Sequence, residues 1–202
     1  MEWNIAFMGP VGSGKTTAIR SVSDIDCLDT EVNHREGAPG SKPRTTVALD
    51  MGVMELGQGD RLRLQGAPGQ DRFDYMWDIL LAQARAVVVL VRAGSQAGTE
   101  LVWYLQQVRQ RLAGGRREVP VVVGVTHADQ ADWALPELIQ AAGLGDCPCS
   151  ACRPPVLPID ERQRGSVVAL LQVATALLEA AQQHPDGGLH QWHCRRTGQP
   201  AC

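Results

Sequence analysis

Apolar residues follow two periods along this chain. Ala86 to Val91 and Val119 to Val125 are short, nearly unbroken apolar runs of the length of buried strands, and Trp3 to Met8 reads as a third strand that feeds a glycine-rich segment. Other apolar positions recur at helical spacing. Phe73, Met76, Trp77 and Leu80 form one stripe, and Leu101, Leu105, Val108 and Leu112 form another. Stripes of this kind are core faces. Val167, Leu170, Leu171, Ala174, Leu177, Leu178 and Ala181 predict a closing helix from about Ser166 to Gln183. A helix is also expected from Lys15 to about Val22, a short one around Leu135 to Ala142, and a strand near Pro155 to Ile159.

Val47 to Leu56 and Arg61 to Gln65 flank the turn-rich tetrapeptide Gly57-Gln58-Gly59-Asp60, which predicts an antiparallel hairpin at a sheet edge. Asp24 to Arg44 holds Gly37, Pro39, Gly40 and Pro43 without periodicity and reads as a long loop. Strands alternate with helices throughout. The expected fold class is therefore three-layer α/β, with a mostly parallel sheet and one antiparallel edge strand, over residues 1–183. The tail from His184 to Cys202, rich in Gly, Pro, His and Arg, is expected to be poorly ordered.

Composition narrows the chemistry. A chain of 202 residues, 44% hydrophobic and 20% charged, suffices for one compact domain with a buried core. The net charge is -3, with acidic and basic residues interspersed, which argues against a nucleic-acid footprint or a polybasic membrane segment. A nucleotide suits this surface better than a polymer. Lys15 and Lys42 are the only lysines. The apolar runs fall short of a membrane span, and the start of the chain shows no leader pattern, so a cytoplasmic setting is expected.

The segment Gly9-Pro10-Val11-Gly12-Ser13-Gly14-Lys15-Thr16, continued by Thr17, matches the phosphate-binding pattern GxxxxGK[ST] between a strand and a helix. Glycines allow the backbone N–H groups to turn inward around phosphates, and the following helix directs its positive end at the same anion. In that reading Lys15 reaches the β- and γ-phosphates and the Thr16 hydroxyl binds magnesium.

The downstream motifs resemble a known family: the bacterial small Ras-like GTPases related to the gliding-motility switch protein MglA, in particular those whose second motif reads G-x-P-G-Q. The resemblance covers roughly residues 3 to 183. Lys42 to Asp50, with Thr45 and Thr46, resembles the first switch, where a threonine binds magnesium and senses the γ-phosphate; Thr46 takes that position, with Thr45 as rival. Gly66-Ala67-Pro68-Gly69-Gln70-Asp71-Arg72-Phe73 is similar to the second switch. There Gly69 would offer its N–H to the γ-phosphate and Gln70 would orient the attacking water. Gly66 stands where eukaryotic Ras proteins have an aspartate that holds a magnesium water, so another acid is expected to substitute or metal affinity to be weaker.

Thr126-His127-Ala128-Asp129 follows an apolar strand and resembles the family's N-K-x-D loop, whose aspartate accepts hydrogen bonds from guanine N1 and N2. Thr126 would keep a side-chain hydrogen bond, and the His127 ring would lie along the base. Ile159-Asp160-Glu161-Arg162 aligns with the base-contacting S-A-K turn, in preference to the similar letters Ser150-Ala151-Cys152. The resemblance thus implies a switch that binds GTP or GDP with Mg2+ and hydrolyses GTP slowly, assisted in cis or by a partner's arginine, with Arg44 and Arg72 as internal candidates. It also implies a small roadblock-type regulatory protein and an effector as partners.

Two other readings share the phosphate cradle: a P-loop ATPase or kinase, and a nucleotide-regulated interaction module that does not hydrolyse. Cys147, Cys149 and Cys152, with His184, His190, His193, Cys194 and Cys202 in the tail, hold enough donors for zinc, but lack paired C-x-x-C half-sites. They are expected to be reduced surface thiols.

Overall fold

In a computed structural model the described residues are 1–26, 49–69, 74–113, 119–129, 133–144 and 153–183. The strands are β1 (Glu2–Met8), β2 (Asp50–Gly57), β3 (Asp60–Gly66), β4 (Ala86–Arg92), β5 (Val121–Thr126) and β6 (Val156–Pro158). The helices are α1 (Lys15–Val22), α2 (Asp74–Gln83), α3 (Ala97–Leu112), α4 (Leu135–Ala141) and α5 (Arg164–Gln183). The strands form one sheet in the order β2-β3-β1-β4-β5-β6, and only the β2–β3 pair is antiparallel. The expected architecture is the one observed.

Alternation along the strands sorts the core into two layers. Ile5 and Phe7 of β1, with Val88 and Leu90 of β4, face α1 and α5, where they meet Ile19, Val22, Val167, Leu170 and Leu171. Ala6 and Met8, with Val87, Val89 and Val91, face the other way, toward Trp77, Leu81, Leu101, Tyr104 and Leu105 of α2 and α3. The central strands therefore need an apolar residue at every position, which is why they read as runs. The β2–β3 hairpin closes through Gln58 and Gly59, both at positive φ (53° and 82°), the backbone a tight hairpin turn requires.

One expectation changes. Helix α5 begins two residues earlier than Ser166, and with 20 residues of mean hydropathy 1.4 it is, among the described residues, one helix long and apolar enough to cross a membrane. That contradicts the expectation that no segment reaches such a length. Its Val167, Leu170, Leu171, Ala174 and Leu178 are buried in the core, and Val168, Val173 and Leu177 lie partly buried against it.

The early start of α5 has a cause in Arg164, which donates to the Val22 carbonyl and to Asp24 Oδ1, both at 2.8 Å, and so ties the end of α1 to the start of α5. The Asp24 carboxylate also takes the Glu55 N–H at 2.8 Å, and these contacts hold it below the usual carboxylate range, the Glu55 N–H first among them. The tail from 184 onward and the cysteine cluster at 147, 149 and 152 lie outside the described residues.

Leu170 is fully buried between α5 and the sheet. Leu170→Ala is expected to lower the unfolding free energy by about 3 kcal/mol, as for other leucines truncated in dense cores. Denaturant unfolding checks this, and a loss below about 1 kcal/mol would mean that α5 is not packed as described.

Candidate functional site

The loops that follow β1, β3, β5 and β6 leave the sheet at its carboxyl end, where open α/β sheets bind ligands. The segment after β1 supplies Gly9 to Gly14. Gly14 caps α1 with φ 86°, and no side chain caps the helix, so its first N–H groups have no side-chain partner at the cap. A side chain at Gly14 would be strained by that φ and would also meet Glu161 Cγ at 2.9 Å. Val11 is exposed on the outer rim of the loop, while Ser13 is buried beneath it.

Lys15 turns back over the loop. Its Nζ donates to the carbonyl oxygens of Gly9 and Pro10, both at 2.7 Å, and lies 3.4 Å from Ser13 Oγ. Burial pulls its pKa from 10.5 down to about 8, against the pull of the nearby Asp50 carboxylate, which favours the charged form. Thr16, one residue on, donates its hydroxyl to Asp50 Oδ2 at 2.5 Å.

Asp50 is the functional candidate that the motifs do not single out. It pairs with Gly66 across the β2–β3 hairpin, and a Cβ at Gly66 would meet both Asp50 Cβ and Oδ2 at 3.0 Å. The carboxylate missing from position 66 is thus supplied from the neighbouring strand, into the same space. The sequence alone does not give this pairing: counting back from the Gln58-Gly59 turn sets 50 opposite 67, and a register shift between Glu55 and Gly57 brings it to 66.

The loop after β3 approaches the glycine-rich loop after β1 closely. A side chain at Gly69 would meet Val11 N at 2.7 Å and the Pro10 carbonyl carbon at 2.9 Å, so only glycine permits this contact between the two backbones. Pro68 is held from the other side by the Trp77 indole N–H, which donates to its carbonyl at 3.1 Å. Trp77 in turn packs on Trp103 and Tyr104, with ring centroids 5.6 Å away in each case. Gln70 and Arg72 lie outside the described residues, as do Thr45, Thr46 and Arg44.

The third loop follows β5. The buried Thr126 hydroxyl donates to the Ser13 carbonyl at 3.1 Å, with the Val91 carbonyl 3.3 Å away as a second acceptor, and so joins this loop to the glycine-rich loop after β1. The expected side-chain hydrogen bond is therefore made. His127 adopts φ 54°; its Nδ1 lies 3.1 Å from Thr126 Oγ1 and its Nε2 3.3 Å from Glu161 Oε1. Glu161, buried under Gly14, turns inward to His127, whereas its neighbours Asp160 and Arg162 stay nearer the surface. Arg162 clasps Asp160 at 2.8 and 3.0 Å and reaches Asp129 Oδ2 at 3.0 Å. This clasp holds the Asp160 carboxyl far below its ordinary range. Loops after β1, β3, β5 and β6 are thereby brought together, as the order of the motifs along the chain implies.

The architecture has the Ras-like G-domain fold, a six-stranded sheet with one antiparallel pair and helices on both faces. The Arl6 BBS3 small GTPase from Trypanosoma brucei, solved with the bound nucleotide analogue GppNp, matches with a TM-score of 0.62 at 17% identity, over 89% of this chain and 99% of that one. A bacterial selenocysteine-specific elongation factor, EF-Sec, matches with a TM-score of 0.63 at 17% identity, over 89% of this chain and 29% of the factor. At that identity the likeness establishes the fold. No protein-family model matches the sequence, and no curated protein matches it significantly.

The lowered pKa of Lys15 has a measurable effect. The unfolded chain holds more protons than the folded one between about pH 8 and 10.5, so the buried amine opposes folding most below pH 8 and least near the top of that window. Nucleotide-free protein should gain roughly 1 kcal/mol from this group between about pH 7 and 9. Unfolding measured across that range, compared with Lys15→Met, isolates the gain; equal slopes would remove Lys15 from the buried position described.

Proposed function

We propose that this chain is a small GTPase switch, which binds guanine nucleotide with magnesium and hydrolyses GTP slowly to GDP. The observation that carries the reading is the Thr126–Ser13 hydrogen bond, because it fixes the loop bearing Asp129 directly against the loop bearing Lys15. One elongated ligand with a base at one end and phosphates at the other spans such a pair.

At the phosphate end, the N–H groups of the glycine loop and the start of α1 would hold the phosphates, with the Lys15 amine turning from the loop carbonyls to the ligand. Thr16 and Asp50 would hold magnesium, whose chemistry there is to neutralise charge on the β- and γ-phosphates. Their fit to that cation rests on donor type: a hydroxyl and a carboxylate, 2.5 Å apart and next to the phosphate loop, are hard oxygen ligands. The two nevertheless bind one another in this structure, so magnesium would take the carboxylate from the hydroxyl proton. Gly69 would donate its N–H to the γ-phosphate. By resemblance, Thr46 would complete the metal sphere and Gln70 would orient water.

At the base end, Asp129 would accept from guanine N1 and N2, and a base without that donor pair would leave a carboxylate unmatched. The turn of Asp160, Glu161 and Arg162 borders the same end. Kinship with the bacterial MglA-related switches and a roadblock-type regulator belong to this proposal and rest on the motif resemblance; a cytoplasmic setting belongs to it too and rests on the sequence pattern alone.

Protein purified without added nucleotide is expected to carry GDP or GTP, identified by chromatography of the released ligand. Asp129→Asn should lower GDP affinity at least about tenfold and shift preference toward xanthosine diphosphate; bound adenine nucleotide, or unchanged selectivity in the variant, would overturn the guanine assignment. Asp50→Asn is expected to raise the magnesium concentration needed for half-maximal GTP retention by about tenfold. An unchanged magnesium requirement would exclude Asp50 from the metal site.

A further inference from the structure

Arg162 stands where Asp129 is to meet its ligand. Its guanidinium forks onto Asp160, with Nε 2.8 Å from Oδ1 and Nη2 3.0 Å from Oδ2, and the remaining Nη2 proton points to Asp129 Oδ2 at 3.0 Å. One cation thus bridges two carboxylates from different loops, after β5 and after β6. The carboxylate that would read the base is already engaged by a donor from the chain itself.

The chemistry of that donor matters. The edge of guanine that a carboxylate recognises, N1–H beside C2–NH2, is itself a planar guanidine fragment. Arginine presents the same kind of N–H groups from the same kind of planar unit. Both compete for the same acceptor. A base that needs both oxygens of Asp129 must take Oδ2 from Nη2, whereas the fork on Asp160 does not involve Asp129 and can persist.

We propose that Arg162 is an internal stand-in for the guanine edge, which caps Asp129 in the base-free protein and is displaced from it when guanine binds. This rests on Asp129 as the guanine reader. The cap lowers apparent guanine affinity, since part of the binding energy is spent on separating Arg162 from Asp129. It also narrows the preference for guanine over adenine. A base lacking the donor pair leaves the ion pair intact and meets no unmatched carboxylate, so the discrimination that Asp129 supplies is blunted. Arg162 is a positioning residue here, acting on the nucleotide through Asp129.

Both partners are more than half exposed, with side-chain exposures of 52% and 57%, so the effect is that of a solvated ion pair. Removing it should change affinity by about two- to five-fold, and the change should shrink at high salt.

The test is a double-mutant cycle read by nucleotide titration of full-length, nucleotide-stripped protein. Arg162→Ala is expected to tighten GDP binding about two- to five-fold and to widen the GDP-to-ADP ratio by a similar factor. Arg162→Lys, which keeps a charge but loses the fork, should fall between wild type and alanine. In an Asp129→Asn background, read with xanthosine diphosphate, Arg162→Ala should have no effect, because the carboxylate it caps is gone.

Weaker GDP binding by Arg162→Ala would mean that the arginine holds the nucleotide, and unchanged binding would mean that it competes for nothing; either result overturns the proposal. An equal gain in the Asp129→Asn background overturns it too, since the arginine would then act through overall charge. If Asp129→Asn alone left base preference unchanged, the guanine assignment would fall first, and the cycle separates that result from a failure of the cap.

Discussion

Lys15 carries an ammonium group into a nearly dry space at the carboxyl end of the sheet, and the surrounding chain is arranged to satisfy it. The carbonyls of Gly9 and Pro10 point at Nζ, which requires the loop to curl back over its own helix. No side chain caps the start of α1, so its first N–H groups have no side-chain partner there. Burial weakens the charge and Asp50 supports it, so the loop, α1 and the hairpin strand β2 share one electrostatic arrangement. The same lysine that the loop carbonyls restrain is the one a phosphate would recruit.

Around this group the structure relocates chemistry between strands. Position 66 carries no carboxylate, and Asp50 places one in the same space from the strand alongside. The turn after β6 divides in a similar way: Glu161 turns inward to His127 under Gly14, and Arg162 bridges Asp160 and Asp129 nearer the surface. Side chains that occupy successive positions in a turn divide between interior and surface because one faces the packed loop and the next does not.

Much of the fold is legible in the sequence because its central strands are buried on both faces and its helices on one. Runs such as Ala86 to Val91 have no other use in a chain of this polarity, and GPVGSGKT predicts a glycine-rich loop and a helix directly after the first strand. The hairpin is legible from its glycines. Asp50 is not, because its importance comes from pairing with Gly66, a relation between strands that a local motif does not express. The start of α5 lies two residues before the point its apolar stripe indicates, because Arg164 looks like a loop residue until its partners, the Val22 carbonyl and Asp24, are known. The inward turn of Glu161 likewise depends on its packing neighbours. Thr46 and Gln70 fall outside the described residues, and their roles rest on the motif alone.

The tight link at Gln58 and Gly59 has an effect at the opposite end of its ribbon. Neighbouring side chains on a strand point to opposite surfaces, so the number of residues in that link, together with the register shift between Glu55 and Gly57, decides which surface carries Asp50. With that register shift kept, lengthening the link by one would rotate the carboxylate out of the cradle without altering a single residue near Thr16. Length variation at this distant bend is therefore constrained by parity, and a surface turn that touches no ligand helps to set the chemistry at the far end.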